Sequence, residues 1–148
     1  MSKRRDRRRM GRALALAGLN QGLTGPNPSV GCVIVDAAGH IAGEGVTGQG
    51  GRPHAEEIAL DEAGGRARGA TAYVTLEPCR ERSSGAASCS AKLVSAGIAR
   101  VVVAIEDPHP TAKDGIRVLR EAGVRVDIGL GRDRAARRYA WFFAQAAK

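Results

Sequence analysis

The sequence predicts a single α/β domain, because strand-like and helix-like segments alternate along its 148 residues. Hydrophobic residues make up 43% of the chain but aromatic residues only 3%, so Ala, Val, Ile and Leu must form most of the core. A chain of this length can bury one sizeable core. We therefore expect one domain over residues 1–148, in which residues 1–9 are a basic N-terminal segment that could be flexible.

The first half of the chain predicts a helix, two paired strands and a second helix. The first helix is expected from about Arg7 to Gln21, before a loop marked by Gly-Pro and Asn-Pro. The segments Val30–Val35 and Ile41–Val46 flank a turn and predict an antiparallel hairpin. A Gly-rich loop leads to a helix that starts near His54 and ends at Gly64-Gly65.

The second half predicts three further strands separated by helices. The strands are Ala72–Leu76, Val101–Ile105 and Val124–Ile128, and the helices between them are Cys89–Ala96 and Lys113–Ala122. A last helix begins at about Asp133. Three of the five aromatic residues stand in succession near its end, and we expect them to pack in the core: Trp141, Phe142 and Phe143.

The formal net charge of +8 is concentrated near both chain ends, in residues 3–12 and 132–138. Such a surface could attract nucleic acid, and a nucleic-acid-binding or nucleic-acid-editing protein would bind with a steep salt dependence. However, no aromatic residues lie between the basic ones, as a stacking platform for single strands would require. We favour two solvated helix ends and expect no nucleic-acid partner.

The cysteine content and the hydropathy pattern indicate the compartment. No apolar run approaches the roughly 18 residues that a membrane span needs, and the charged N-terminus lacks the apolar region of a secretion signal. The cysteine count of 3 is odd, so metal binding is favoured over disulfides. We expect a cytoplasmic protein with no membrane association.

The most informative motif is His54-Ala55-Glu56 followed by Pro78-Cys79 and Cys89. Zinc-dependent deaminases place one histidine, one glutamate and two cysteines in this order, although here nine residues rather than two separate the cysteines. The helices after the second and third strands should begin at one edge of the sheet, so these side chains can converge. Helix N-termini favour thiolates, and an imidazole with two thiolates suits one zinc ion per chain.

Three protein ligands leave a fourth zinc position for water, which indicates a catalytic rather than a structural metal. We expect Glu56 to take a proton from this water and pass it to the leaving amine. A structural zinc would need a fourth ligand, and the alternatives are poor. Cys32 is expected to be a buried thiol, His40 an exposed side chain and Glu57 a surface charge, whereas His109 is a candidate substrate contact.

The chain also resembles the deaminase domain of the bacterial riboflavin-biosynthesis deaminase/reductase, from about Met10 to Phe143. The long gap between the cysteines is similar to this family, whereas the related tRNA adenosine, cytosine and deoxycytidylate deaminases use C-x-x-C. The segments that carry the resemblance are R-A-L-A-L-A (12–17), T-G-P-N-P-S-V-G-C-V-I-V (24–35), G-R-P-H-A-E (51–56), G-A-T-A-Y-V-T-L-E-P-C (69–79), A-G-I-A-R-V-V-V-A (96–104) and D-P-H-P (107–110).

The resemblance implies a cytidine-deaminase-like fold, a three-layer α/β/α arrangement whose five-stranded mixed sheet has helices on both faces. It implies zinc on His54, Cys79 and Cys89, with Glu56 as the proton shuttle. It further implies contacts from Asn27 to a pyrimidine and from Asp107 to its ribose side, and a homo-oligomer.

The substrate implied by the resemblance is the pyrimidine nucleotide 2,5-diamino-6-ribosylamino-4(3H)-pyrimidinone 5′-phosphate, which is deaminated with release of ammonia in riboflavin biosynthesis. The family's reductase half would begin where this sequence stops, so a separate protein is expected to carry out the reduction. The sequence contains no G-x-G-x-x-G, and we expect no nicotinamide cofactor.

Several positions depart from the family pattern. The family usually has His at position 47, Ser-His at 80–81, a basic residue near 84 and Asn at 109, where this chain has Thr47, Arg80-Glu81, Ser84 and His109. Arg80 or Arg82 could supply the missing phosphate-binding cation, or each could be a solvated loop charge. A deaminase of the same fold that acts on another nucleoside, nucleotide or nucleobase therefore remains the alternative.

Overall fold

Five strands form one mixed sheet in a computed structural model that describes residues 3–79, 88–109 and 114–146. The strand order is β2-β1-β3-β4-β5. The strands are β1 (Gly31–Val35), β2 (Ile41–Val46), β3 (Thr71–Val74), β4 (Arg100–Val103) and β5 (Arg125–Ile128). In the described part of the chain, no helix combines the length and the apolar character that a membrane crossing requires.

Within the described residues, five α-helices cover both faces of this sheet: α1 (Lys3–Leu19), α2 (Ala55–Ala63), α3 (Cys89–Ser95), α4 (Gly115–Glu121) and α5 (Arg132–Ala146). One apolar cluster joins α2, α3 and α4 to the sheet, and a second joins α1 and α5 to its other face. Alternation along the strands explains this division, since Val33 and Tyr73 face one cluster and Ile34 and Ala72 face the other. The predicted three-layer α/β/α fold is confirmed.

The strand directions bring the ends of β2 and β3 to one edge of the sheet. Strand β1 pairs antiparallel with both β2 and β3, whereas β3, β4 and β5 are parallel to one another. Strands β2 and β3 therefore run in the same direction, and the segments that follow them start from the same edge. Helices α2 and α3 begin after this edge, where the sequence places the predicted metal ligands.

Helix α2 packs directly on the backbone of β2. A Cβ atom at Gly45 would overlap the carbonyl oxygen of Ala55, and one at Gly43 would overlap that of Ala59. The absence of side chains at these two glycines therefore lets the helix approach the strand closely. This contact fixes the height of the first turn of α2 above the sheet.

The structure corrects two expectations about the chain ends. Helix α1 begins at Lys3 rather than near Arg7, so residues 3–9 are helical and not a separate extension. Trp141 is not a core residue, because it is 43% exposed, while Phe142 and Phe143 pack partly buried against the core. The fully buried aromatic residues are instead Tyr73 and Tyr139.

Candidate active site

Three potential metal ligands converge at the sheet edge where α2 and α3 begin. His54 caps the N-terminus of α2, Cys79 lies after β3, and Cys89 is the first residue of α3. Their ligand atoms lie within 4.8 Å of one another, and His54 Nδ1 is 3.2 Å from Cys89 Sγ. One imidazole and two sulfur atoms at this spacing fit zinc and leave a fourth coordination position for a small molecule.

Glu57 holds the two ligand-bearing helices together, although the sequence predicted only a surface charge. Its Oε1 accepts the backbone N–H of His54 at 3.1 Å, and its Oε2 lies 2.6 Å from Nζ of Lys92 on α3. The side chain of Glu57 is 20% exposed, so this ion pair is partly shielded from water. The position of His54 therefore depends on contacts made by the same first turn of α2.

The two cysteine side chains interact as a pair. The pKa of the Cys79 thiol is lowered to about 4, chiefly because Cys89 hydrogen-bonds it through its side chain. His54 and the backbone N–H of Cys89, 3.3 Å from Cys79 Sγ, act in the same direction. The same contact, together with burial, raises the pKa of the Cys89 thiol. The contact therefore favours a thiolate at Cys79, the form in which sulfur binds a metal.

Glu56 is a buried carboxyl beside these ligands. It is only 4% exposed, and its burial raises its pKa from 4.5 to about 7, with the nearby Cys79 adding to the rise and His54 opposing it. A carboxyl with a pKa near neutrality can both accept and donate a proton at pH 7. The arrangement therefore supplies a proton-transfer group next to a metal-binding cluster.

The remaining cysteine and histidine candidates do not join this cluster. Among the described residues, His54, Cys79 and Cys89 are the one group of three or more potential ligands at metal-binding distances. Cys32 is completely buried, as predicted. This burial raises the pKa of its thiol, and the nearby Glu56 carboxyl adds to the rise. The side chain of His40 is 78% exposed, also as predicted.

Three of the predicted substrate contacts, Asn27, Asp107 and His109, lie in loops of the described chain. The Asn27 side chain donates to the carbonyl of Gly51 at 3.4 Å, which places its loop beside the segment before His54. Asp107 follows β4 and is 6% exposed. Its Oδ1 accepts the backbone N–H of His109 at 2.9 Å and lies 3.1 Å from the Nδ1 atom of that ring.

Two of the departures have structural consequences in the described region. Thr47 is buried, and its hydroxyl oxygen accepts the backbone N–H of Val30 at 2.9 Å. This contact joins the two chain segments at the open end of the β1–β2 hairpin, opposite its turn. The His109 ring stacks on Phe142 of α5, with ring centroids 4.1 Å apart. Arg80, Glu81, Arg82 and Ser84 lie outside the described residues.

The sequence interpretation missed Glu77, which is a buried carboxylate between Leu76 and Pro78. Its Oε1 accepts the backbone N–H of Asp107 and its Oε2 that of Ile116. A signal was present in the sequence, because an acidic residue at the end of an apolar strand and two residues before a ligand is unusual.

One known protein family matches most of the chain. Residues 3–105 match the family model described as the cytidine and deoxycytidylate deaminase zinc-binding region. The chain belongs to this deaminase family. The family assignment agrees with the His/Cys/Cys cluster and the buried Glu56, and it makes the chain a member of a family of hydrolytic deaminases.

Curated relatives of this chain include riboflavin biosynthesis proteins and a shorter pyrimidine deaminase. The chain is 51% identical over 122 residues to the riboflavin biosynthesis protein RibD of Escherichia coli (strain K12), covering 82% of this chain and 33% of that protein. It is 43% identical over 127 residues to the diaminohydroxyphosphoribosylamino-pyrimidine deaminase of Buchnera aphidicola subsp. Schizaphis graminum (strain Sg), covering 85% of each chain. It thus spans about a third of the RibD protein and most of the shorter deaminase.

Solved structures give the same result for the fold. Acinetobacter baumannii RibD, form 2, superposes on 98% of this deaminase and 41% of its own chain, with a TM-score of 0.91 and 42% identity. The described part of the chain therefore has the fold of the matched portion of this RibD structure.

Proposed function

We propose that this chain is a zinc-dependent hydrolytic deaminase of 2,5-diamino-6-ribosylamino-4(3H)-pyrimidinone 5′-phosphate. The product would be 5-amino-6-ribosylaminouracil 5′-phosphate, with release of ammonia. The observation that carries the proposal is the convergence of His54, Cys79 and Cys89 beside the buried Glu56. The substrate is supported by the similarity to the Buchnera deaminase over 85% of both chains.

The three metal ligands and Glu56 have different roles in the proposed reaction. His54, Cys79 and Cys89 would hold the zinc ion, which when bound acts as a Lewis acid that lowers the pKa of water. Glu56 would accept a first proton from the attacking water and pass it to the ring nitrogen of the substrate. It would then accept the proton of the hydroxyl that water has added to the ring carbon and pass it to the amino group, which leaves as ammonia when its C–N bond breaks. Its pKa of about 7 suits both steps, because neither protonation state is strongly favoured at neutral pH.

Substrate positioning is assigned to the surrounding loops. Asn27 would contact the pyrimidine, and Asp107 the ribose side of the substrate. The His109 ring, held by Asp107 and Phe142, is the third proposed contact. Arg80 or Arg82 would bind the 5′-phosphate, since an arginine can donate two parallel hydrogen bonds to phosphate oxygens.

A second candidate is a deaminase that acts on a different nucleoside, nucleotide or nucleobase. Thr47 favours it, because its hydroxyl is engaged with the backbone of Val30 at the position where the family usually has a histidine. In this case the metal ligands and Glu56 would retain their roles, but the contacts around the substrate would change.

A substrate panel separates the two candidates. The zinc-loaded protein is incubated with the diaminopyrimidine ribotide and, in parallel, with cytidine, deoxycytidylate, guanine and adenosine, and ammonia release is measured. We expect turnover of the ribotide alone. Turnover of another compound, with the ribotide inert, would replace the proposed substrate. Glu56→Gln serves as the control for ammonia from a contaminating enzyme.

We further propose one zinc ion per chain, a single deaminase domain, a homo-oligomeric assembly and a cytoplasmic location. A reducing compartment suits the site, because zinc requires the two cysteines as thiolates rather than as a disulfide. Metal analysis of the purified protein tests the zinc content, and sedimentation tests the oligomeric state. Less than one zinc per chain in active protein, or a monomer at working concentration, would contradict them.

A further inference from the structure

The Glu77 carboxylate joins two separate segments to the strand that leads to the metal ligands. It is 6% exposed, and each of its oxygens accepts a backbone N–H. Oε1 accepts the N–H of Asp107 at 3.0 Å, and Oε2 accepts the N–H of Ile116 at 3.1 Å. The first donor belongs to the loop after β4, and the second to the first turn of α4.

These contacts lie next to the metal-binding loop. Glu77 is two residues before Cys79, and its own backbone N–H donates to the carbonyl of Ile105 at 3.0 Å. Ser90 of α3 makes a second contact between the start of α4 and the same loop. Its buried hydroxyl lies 3.2 Å from the Pro78 carbonyl and 3.4 Å from the Gly115 carbonyl. The loop, the segment after β4 and α4 therefore form one packed unit.

The unit also reaches the proposed substrate contacts. Glu77 fixes the backbone of Asp107, and the Asp107 carboxylate in turn accepts the backbone N–H of His109 and contacts its ring. The ring is held from its other side by Phe142. A displacement of the Asp107 backbone would therefore move both proposed contacts relative to Cys79.

We propose that Glu77 is a positioning residue that sets the placement of Asp107 and His109 relative to the metal ligands. The proposal rests on the proposed function, because Asp107 and His109 matter to catalysis only if they contact the substrate. A carboxylate is required here, since both of its oxygens accept hydrogen bonds. Glutamine has the same shape, but its NH₂ group would face one of the two backbone N–H donors.

The experiment compares Glu77→Gln with the wild-type protein by metal content, by steady-state kinetics on the ribotide and by amide hydrogen exchange. We expect one zinc per chain to be retained and KM to rise about tenfold or more, with a smaller change in kcat, since a hydrogen bond to a charged group is lost. Exchange of the amides of Asp107 and Ile116 should become faster. Glu77→Asp, which keeps both acceptor oxygens, replaces the glutamine variant if that variant does not fold.

Asp6→Asn is the matched control, because Asp6 is also a buried carboxylate but bonds Arg100 and Tyr73 at the opposite edge of the sheet. It should lower stability without changing KM. The inference is wrong if Glu77→Gln leaves KM unchanged, or if Asp6→Asn raises KM equally. An inert ribotide with the wild-type protein contradicts the proposed function instead, and unchanged exchange at Asp107 and Ile116 would then still overturn the role of Glu77.

Discussion

At the residue scale, Glu56 differs from an ordinary surface carboxylate because the protein surrounds it. Its burial in the first turn of α2 raises its pKa to about 7, so a substantial fraction of the side chain is protonated at neutral pH. Water would otherwise stabilise the ionised form and keep the pKa near 4.5. The helix start thus gives the carboxyl both its position beside His54 and its capacity for proton transfer.

Replacing Glu56 separates proton transfer from metal binding. Glu56→Gln keeps the shape of the side chain but removes its capacity to exchange a proton, so kcat should fall by about 10²–10⁴-fold. Zinc content should remain that of the wild type, because Glu56 is not among the three clustered ligands. Metal analysis and ammonia release on the same preparation check both. If the chain were a non-catalytic zinc protein, the wild type would release no ammonia and the substitution would change nothing.

The two buried cysteines Cys32 and Cys89 predict opposite outcomes for the same substitution. Both are fully buried, but only Cys89 belongs to the metal-binding group. Cys89→Ala should lose zinc, whereas Cys32→Ala should retain it and lose only the packing of one sulfur atom. Zinc per chain after gel filtration measures the difference. Loss of zinc from Cys32→Ala in folded protein would require a different ligand set.

At the element scale, the close contact between α2 and β2 positions the first turn that carries His54 and Glu56. Gly45→Ala would place a methyl group against the Ala55 carbonyl, and forcing apart packed elements costs about 1–3 kcal/mol. We expect a lower melting temperature together with weaker zinc binding. Gly65→Ala is the matched control, since among the described residues no atom beyond this glycine and its chain neighbours lies within 4 Å of the added Cβ. Equal melting temperatures for the two variants would contradict this account.

Helix α1 is held at its start by a buried ion pair, which predicts a specific dependence on pH. Arg100, by hydrogen-bonding the Asp6 carboxylate, lowers the pKa of Asp6 in the folded protein. The stabilisation is therefore present above the unfolded-state pKa of about 3.9 and is lost as pH falls through the lower folded value.

Asp6→Asn should consequently reduce the free energy of unfolding at pH 7 by about 1–3 kcal/mol, since a hydrogen-bonded charge is lost. Below about pH 4 the difference from the wild type should shrink, because Asp6 is protonated first in the unfolded state and, at lower pH, in the folded state as well. Denaturant unfolding at a series of pH values measures this. A difference that stays constant down to pH 3 would show that the carboxylate charge is not involved.

The elements show what the sequence could and could not predict. The strand and helix patterns after residue 30 placed each element to within about two residues, because apolar periodicity and glycine signals act locally. The start of α1 was missed because residues 2–9 include no apolar side chain, and the anchor for Asp6 comes from Arg100 on a distant strand. The sequence shows Glu77 as an acidic residue at the end of an apolar strand, but it could not show the partners of this carboxylate, which are 30 and 39 residues away.

At the scale of the whole molecule, the predicted metal ligands converge because the sheet order brings together segments that are distant in sequence. Strand β1 lies between β2 and β3 and runs against both, so the segments after β2 and β3 leave from one edge. The motif H-A-E…P-C…C predicted this convergence. The sequence could not predict the Glu57–Lys92 ion pair or the His109–Phe142 stack, because these depend on how the helices pack.

The net charge of +8 is the remaining whole-molecule property, and the structure changes how its role should be tested. Deleting residues 1–9 would remove Asp6 and leave Tyr73 and Arg100 without this carboxylate partner. A loss of function could then result from a loss of stability, so the deletion does not test the role of the charge. Arg4, Arg7 and Arg8 are exposed positions of α1, and replacing all three by Gln removes charge without disturbing the core. We expect unchanged melting temperature and unchanged kcat/KM on the ribotide at physiological salt.

The same triple variant discriminates against a nucleic-acid-dependent function. A basic surface binds RNA or DNA weakly and with a strong dependence on salt, and removing three cations should reduce the slope of log affinity against log salt. For a deaminase of small molecules, this change has no consequence for turnover. Added RNA that stimulated ammonia release by the wild type but not by the triple variant would instead make helix α1 a functional nucleic-acid contact.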